Sequence, residues 1–217
     1  MIEQTNLTRS NDLMADLKYN MSFTAGGLFF KEAQEIAEIY FDYKNWDEVR
    51  KQVLADNVLQ AKTKASLKRF IQEIIFRLEQ LNEDQLALLI SGSIHEKKYL
   101  LWYAACKRHK FIYEFAVEVI REKFLHLNYR VEQRDFDIFF NRKAEWHEEL
   151  DSLKVTTVKK IRQVLFRMMR EADIILPDDS INTILISPKL KKTFSKSSAA
   201  DFSIFPMSDA DIKGLLI

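Results

Sequence analysis

This chain of 217 residues is poor in the residues that make tight turns and cross-links: it has one cysteine, three prolines and four glycines. A single cysteine, Cys106, excludes an intrachain disulfide framework and fits a reducing compartment. Scarce Gly and Pro argue against an all-β chain and for long helices. No charge of one sign dominates. The formal net charge is +1, so the overall balance points to no class of partner. A long apolar run is also missing. The apolar run Leu100 to Cys106 falls far short of the ~20 residues a bilayer-spanning helix needs. The first twenty residues, MIEQTNLTRSNDLMADLKYN, are polar and carry no signal-peptide core. A cytoplasmic protein without membrane insertion is the expectation.

Catalytic and metal-binding patterns are missing as well. His147-Glu148-Glu149 is not a zinc-protease motif, because no second histidine follows at helical spacing. His95, His109, His126 and His147 are scattered along the chain. Cys106 lies in an apolar helix beside Trp102 and Tyr103, the setting of an inert core thiol. Glu145, Glu148, Glu149 and Asp151 lack the loop spacing of a calcium site and read as a solvated face. No enzymatic activity, metal or cofactor is expected.

The chain is rich in apolar residues, which make up 47%, and in phenylalanine, with sixteen. That is enough for a well-filled core. Their spacing predicts a succession of helices. One runs from Leu28 to Tyr43, with Thr24 as a candidate cap and Gly26-Gly27 before it. Those glycines could expose backbone amides to a phosphate, but without P-loop spacing or lysine they read better as a site of close packing. Further helices are expected over residues 45–56, 64–80 and from Asn82, whose Gln85 completes a capping box. Two more are expected from Ser93 (with Glu96) to about His109, and over residues 111–127. Residues 1–20 read as a flexible tail, 21–128 as a helical domain, and 129–217 as a second domain with a C-terminal extension.

That second part carries the most specific pattern. Residues 156–172, TTVKKIRQVLFRMMREA, place Val158, Ile161, Leu165, Met168 and Ala172 on one helical face. The opposite face carries Thr156, Lys159, Lys160, Gln163, Arg167 and Arg170. A short acidic helix over 144–153 and a break at Lys154-Val155 precede it. The apolar runs Ile174–Leu176 and Ile181–Ile186, separated by Pro177-Asp178-Asp179-Ser180, follow it as a candidate β-hairpin. Residues 202–207 read as a further strand. Helix, tight turn, basic helix and hairpin is the order of a winged helix-turn-helix, whose second helix enters a DNA major groove. The fold class expected is mainly α, a helical bundle followed by this winged part. Many small helical domains share the order without touching nucleic acid.

Charge alternates in blocks along the chain. Residues 1–56 and 111–151 are net acidic, whereas 57–110 and 152–217 are net basic. The first basic block holds a second candidate cluster, Lys62, Lys64, Lys68 and Arg69, at a helix N-terminus. Cations there oppose the helix dipole, which suggests a phosphate contact. Lys/Arg groups without base-reading Asn or Gln pairs favour backbone contact over sequence readout, with Gln163 the one candidate base reader. Most aromatics fall on apolar stripes, which favours duplex over single strands.

Several segments resemble the BrxA family of bacterial BREX phage-defence systems. They are YNMSFTAGGL (19–28), WDEVRKQVLADNVLQAKTKASLKR (46–69), FAVEVIREKFL (115–125), FFNRKAEWHEEL (139–150) and KKIRQVLFRMMREADII (159–175), with FPM at 205–207. The resemblance is ordered and runs over nearly the whole chain. It implies a small, helical, non-enzymatic, DNA-binding component acting beside the ATPase, methyltransferase and phosphatase-like proteins of the system. It also implies a likeness of the N-terminal half to NusB-like RNA-binding folds. Some members are described as inner-membrane proteins, against which the short apolar runs argue here. The expected partners are double-stranded DNA and other BREX proteins. A protein-interaction scaffold and an RNA-binding helical module are the alternatives.

Overall fold

A computed structural model describes residues 18–56, 63–194 and 198–216. Its helices are α1 (Phe30–Tyr43), α2 (Trp46–Asp56), α3 (Lys64–Leu78), α4 (Glu83–Ser91), α5 (Ile94–Arg108) and α6 (residues 110–125). They continue with α7 (Gln133–Ala144), α8 (Glu148–Asp151), α9 (Val155–Glu171), α10 (Pro188–Thr193), α11 (Ala199–Phe202) and α12 (Asp209–Leu216). The fold is mainly α. Helix starts follow local chemistry. Asn82 with Gln85 and Ser93 with Glu96 form reciprocal capping boxes on α4 and α5, and Thr63 caps α3 through the Ser66 amide. Between Ala116 and Arg121, α6 widens into a π-helical stretch.

The apolar faces meet in one continuous core. At its centre is α5, which packs against α1, α3, α4, α6 and α9. Trp102 is fully buried, and its indole N–H donates to the Ile204 carbonyl at 3.1 Å. Phe111 and Phe115 of α6 pack edge-on against Phe139 of α7, with centroids 5.2 and 5.3 Å apart. The same core takes in Ile161, Leu165 and Met168 of α9 and Phe202, Phe205 and Ile212 near the C-terminus.

Several expectations are corrected. Residues 1–17 lie outside the described residues, but Tyr19 at the end of the expected tail is docked. Tyr19 is buried, its amide donates to Glu149 at 2.8 Å and its hydroxyl donates to Glu114. Thr24 caps no α-helix. It sits in a 3-10 turn, Ser22–Ala25, with its hydroxyl on the Met21 carbonyl, and α1 begins at Phe30 after Phe29 in left-handed conformation (φ 58°). Gly26 and Gly27 serve close approach. A Cβ on the first would collide with the Phe29 ring, and one on the second with the Glu171 carboxylate. The acidic helix expected over 144–153 shrinks to the single turn α8, since Glu145 and Trp146 form a turn and His147 is the extended N-cap residue.

The β-structure is slighter than expected. Among the described residues there is no multi-residue strand, only two antiparallel bridges, Ile175 with Ile181 and Arg130 with Ser180. The chain does reverse where Pro177 predicts it. The Leu176 amide donates to the Ser180 carbonyl at 2.8 Å and the Asp179 amide to the Leu176 carbonyl at 2.9 Å. Residues 202–207 are not a strand. They close α11 and turn, burying Phe202, Ile204, Phe205 and Met207. Burial there does not alternate: residues 204–207 are buried in succession, unlike the two faces of a pleated strand.

Candidate nucleic-acid interface

The basic helix α9 spans seventeen residues, about 25 Å at the usual rise. Its buried side is wider than the spacing predicted. Ile161, Leu165, Met168 and Ala172 are buried, joined by Val164, Phe166 and Met169, while Val158 is only half-buried. Five apolar positions in six residues (164–169, all but Arg167) allow this, because the helix is gripped from two sides.

The opposite stripe is where the sequence places it. Thr156, Lys159, Lys160, Gln163, Arg167 and Arg170 are all exposed. The structure divides this stripe into two halves. In the C-terminal half the cations are occupied: Arg167 pairs with Glu171 at 2.6 Å, and Arg170 pairs with Asp179 at 2.6 Å and lies over the Phe166 ring. In the N-terminal half, Lys159 and Lys160 have no acidic partner among the described residues. Neither has Lys154, which the sequence reading missed. It is the exposed N-cap residue of α9, two positions before Thr156. Its signal was its place in the break between helices. The first turn of α9 holds no acidic residue and its cap has no side-chain hydrogen bond. Amides near this end and three lysines therefore raise the local positive potential together.

Arg162 shows the converse. It is half-buried and tied to Asp137 of α7 at 2.8 Å, a cation spent on holding two helices together.

The second basic block is partly described. Lys62 lies outside the described residues. Lys64, Lys68 and Arg69 are exposed on the first turns of α3, and Arg69 Nη2 donates to Thr24 Oγ1 at 3.1 Å. The blocks share a structural seat, since the Ser22–Ala25 turn packs against both α3 and α9.

A buried polar cluster secures that seat. Glu73 of α3 accepts from Arg77 Nε at 2.8 Å and from Ser22 Oγ at 2.8 Å, and faces His109 Nε2 at 2.6 Å. Arg77 also donates to the Gly27 carbonyl at 2.8 Å. Burial alone would raise the Glu73 pKa. The His109 hydrogen bond and the Arg77 charge, with Ser22, outweigh it and bring the group down to about 2. At the other end of the segment, the Leu28 amide donates to Glu171 at 2.6 Å. Thus α9 is fixed by Glu171 to the loop that Glu73 and Arg77 hold.

No cluster of three or more potential metal ligands occurs among the described residues. No helix among them is long and apolar enough to cross a membrane. Cys106 is buried, which pushes its thiol pKa well up and keeps it protonated.

The BrxA family model matches residues 17–198. The chain belongs to the BrxA family. It is 26% identical to a BREX protein BrxA of Bacillus cereus (strain H3081.97) over 154 residues, covering 71% of this chain and 77% of that protein. A BREX protein BrxA of Escherichia coli O9:H4 (strain HS) is also 26% identical, over 150 residues, covering 68% and 69%. Among solved structures, an uncharacterised protein from Magnetospirillum magneticum superposes with a TM-score of 0.76. The match covers 88% of this chain and all of that one at 17% identity, a likeness of fold.

Proposed function

We propose that this chain is a non-enzymatic BREX component that binds duplex DNA through the phosphate backbone, with the N-terminal half of α9 as the contact. The observation that carries this reading is the division of α9: one face locked in the core, the other presenting Lys154, Lys159 and Lys160 unpaired among the described residues at an acid-free helix start. A helix of ordinary diameter fits the ~12 Å major groove. Phosphates flanking the groove then meet the lysines and the Thr156 hydroxyl, leaving Gln163 to reach a base edge. The order α7, α8, α9 and the turn at 176–180, with residue 130 bridged to 180, supports a winged helix-turn-helix reading with a very short wing. Lys64, Lys68 and Arg69 form a secondary contact in this reading.

Membership of the family supports other BREX proteins as partners. A second reading, a docking scaffold for one of them, is favoured by Trp146, which is 83% exposed between α7 and α8 and flanked by the exposed acids Glu145 and Glu148. Salt-titrated binding to duplex DNA, single-stranded DNA and RNA separates these readings. The first requires duplex binding that weakens steeply with salt. Absence of binding to any of the three at micromolar protein and low salt leaves the scaffold, and preference for RNA assigns the helical half.

A further inference from the structure

The apolar run that follows the turn at 176–180 leaves its backbone unused. Up to Asn182 the chain is paired on both sides. The Ile181 amide donates to the Tyr129 carbonyl at 2.7 Å, and the Asn182 amide to the Ile174 carbonyl at 2.9 Å. From Thr183 to Ile186 no group makes a hydrogen bond among the described residues. This segment is neither helix nor turn, and it runs without a bend to Ser187, which is extended (φ −68°, ψ 156°). Burial alternates along it. Ile184 is buried and Ile186 is half-buried against the core, while Thr183 is exposed and Leu185 is 81% exposed. In an extended chain the backbone groups alternate in direction as well. Thr183 and Leu185 therefore present theirs on the edge that Ile181 turns to Tyr129, beyond the point where that pairing ends. An exposed edge with free N–H and C=O groups is a template for another strand, and charge ordinarily blunts it. Here no residue from Ser180 to Pro188 is charged.

We propose that this edge pairs with the same edge of a second copy of the chain, antiparallel across a two-fold axis at Ile184. Thr183 of one copy then faces Leu185 of the other, and each such pair exchanges its N–H and C=O groups. Two observations make a second copy the occupant. The run Ile-Asn-Thr-Ile-Leu-Ile is β-prone and uncharged, so it serves equally as template and as added strand. Antiparallel order also brings unlike flanks together. Asp178 lies toward Lys189 of the other copy, and both residues are exposed and outside any ion pair among the described residues. Parallel order would oppose like charges. Arg130 tempers the Asp178 charge, so the flanks select the register while the ladder supplies the attraction. Two such short edges bury little surface, so the association is weak, with a dissociation constant on the order of tens to hundreds of micromolar.

The test uses the full chain and does not depend on DNA binding. Sedimentation equilibrium across about 10 to 500 µM protein, bracketing that range, should show the mass rising from one chain toward two. Amide exchange resolved by residue should slow at Thr183 and Leu185 as concentration rises, with Ile184 unchanged, because only one edge is covered. T183K/L185K places cations on both exposed positions and should stay monomeric throughout, with an unfolding midpoint near native. K189Q should weaken the dimer about two- to fivefold, as expected for loss of a symmetric pair of cross-strand charge contacts. A native chain that remains monomeric over the whole range overturns the proposal. So does a dimer that T183K/L185K leaves intact, or one in which the Thr183 and Leu185 amides exchange as fast as in the monomer, since either result puts the contact on another face.

Discussion

Glu73 shows how much one residue carries in this molecule. Its carboxylate joins Arg77, His109 and Ser22 inside the protein, and through Arg77 it positions the Gly27 carbonyl. Removing it leaves a buried guanidinium without its counter-charge, so Glu73→Ala should cost about 3–5 kcal/mol in denaturant unfolding. The same group makes stability pH-dependent. Its pKa is near 4.5 when exposed and about 2 when folded, so its contribution is complete above about pH 4.5. It should decline as pH falls toward 2, because the unfolded chain takes up the proton first. Unfolding followed over that range should show a shallower pH slope for Glu73→Gln than for the native chain. Gly27 is a smaller test of the same joint. A methyl group there displaces the Glu171 carboxylate and its bond to the Leu28 amide. Gly27→Ala should cost about 1.5–3 kcal/mol, the range for a lost hydrogen bond to a charged group, read as a lowered unfolding midpoint.

At the scale of an element, α9 separates stability from binding. Leu165 is fully buried, and Leu165→Ala should destabilise the protein by about 2–5 kcal/mol through the cavity it leaves. Duplex affinity per folded molecule should stay near native. Lys159 and Lys160 are exposed and make no ion pair among the described residues, so K159A/K160A should shift stability by no more than about 0.5 kcal/mol. The same variant should weaken duplex binding for all sequences alike and flatten the salt slope by roughly one unit per lost phosphate contact. If it binds like the native chain while K64A/K68A/R69A does not, the contact belongs to α3.

Across the whole molecule, formal charge is nearly balanced, so attraction to DNA in the proposed reading is local and short-ranged. Affinity for duplex should fall at least tenfold between about 50 and 200 mM salt, since several phosphates are neutralised and each adds a slope of about −0.9. A flat response in the same titration would sink the electrostatic reading. The continuous core adds a constraint on motion. Because α5, α6 and α9 share it, α9 cannot reorient without disturbing helices on both sides. The basic face is thus presented in a fixed pose, as the proposed groove contact requires.

The sequence determined what depends on local chemistry. Scarce glycine and proline, helical spacing and the capping pairs Asn82/Gln85 and Ser93/Glu96 dictated a helical chain with those starts, because a cap is satisfied within three residues of itself. The outward stripe of α9 was equally legible, since period alone decides which residues share a face. Tertiary structure decided which of those cations are free. Arg170 is claimed by Asp179 and Arg162 by Asp137, partners nine and twenty-five residues away that no periodicity connects. It also decided the docking of Tyr19 onto Glu149 and Glu114, and the compact turns at 202–207 in place of a strand. In each case the deciding contact is with a distant element, and a one-dimensional pattern carries the propensity of a segment but not the charge or surface it will meet.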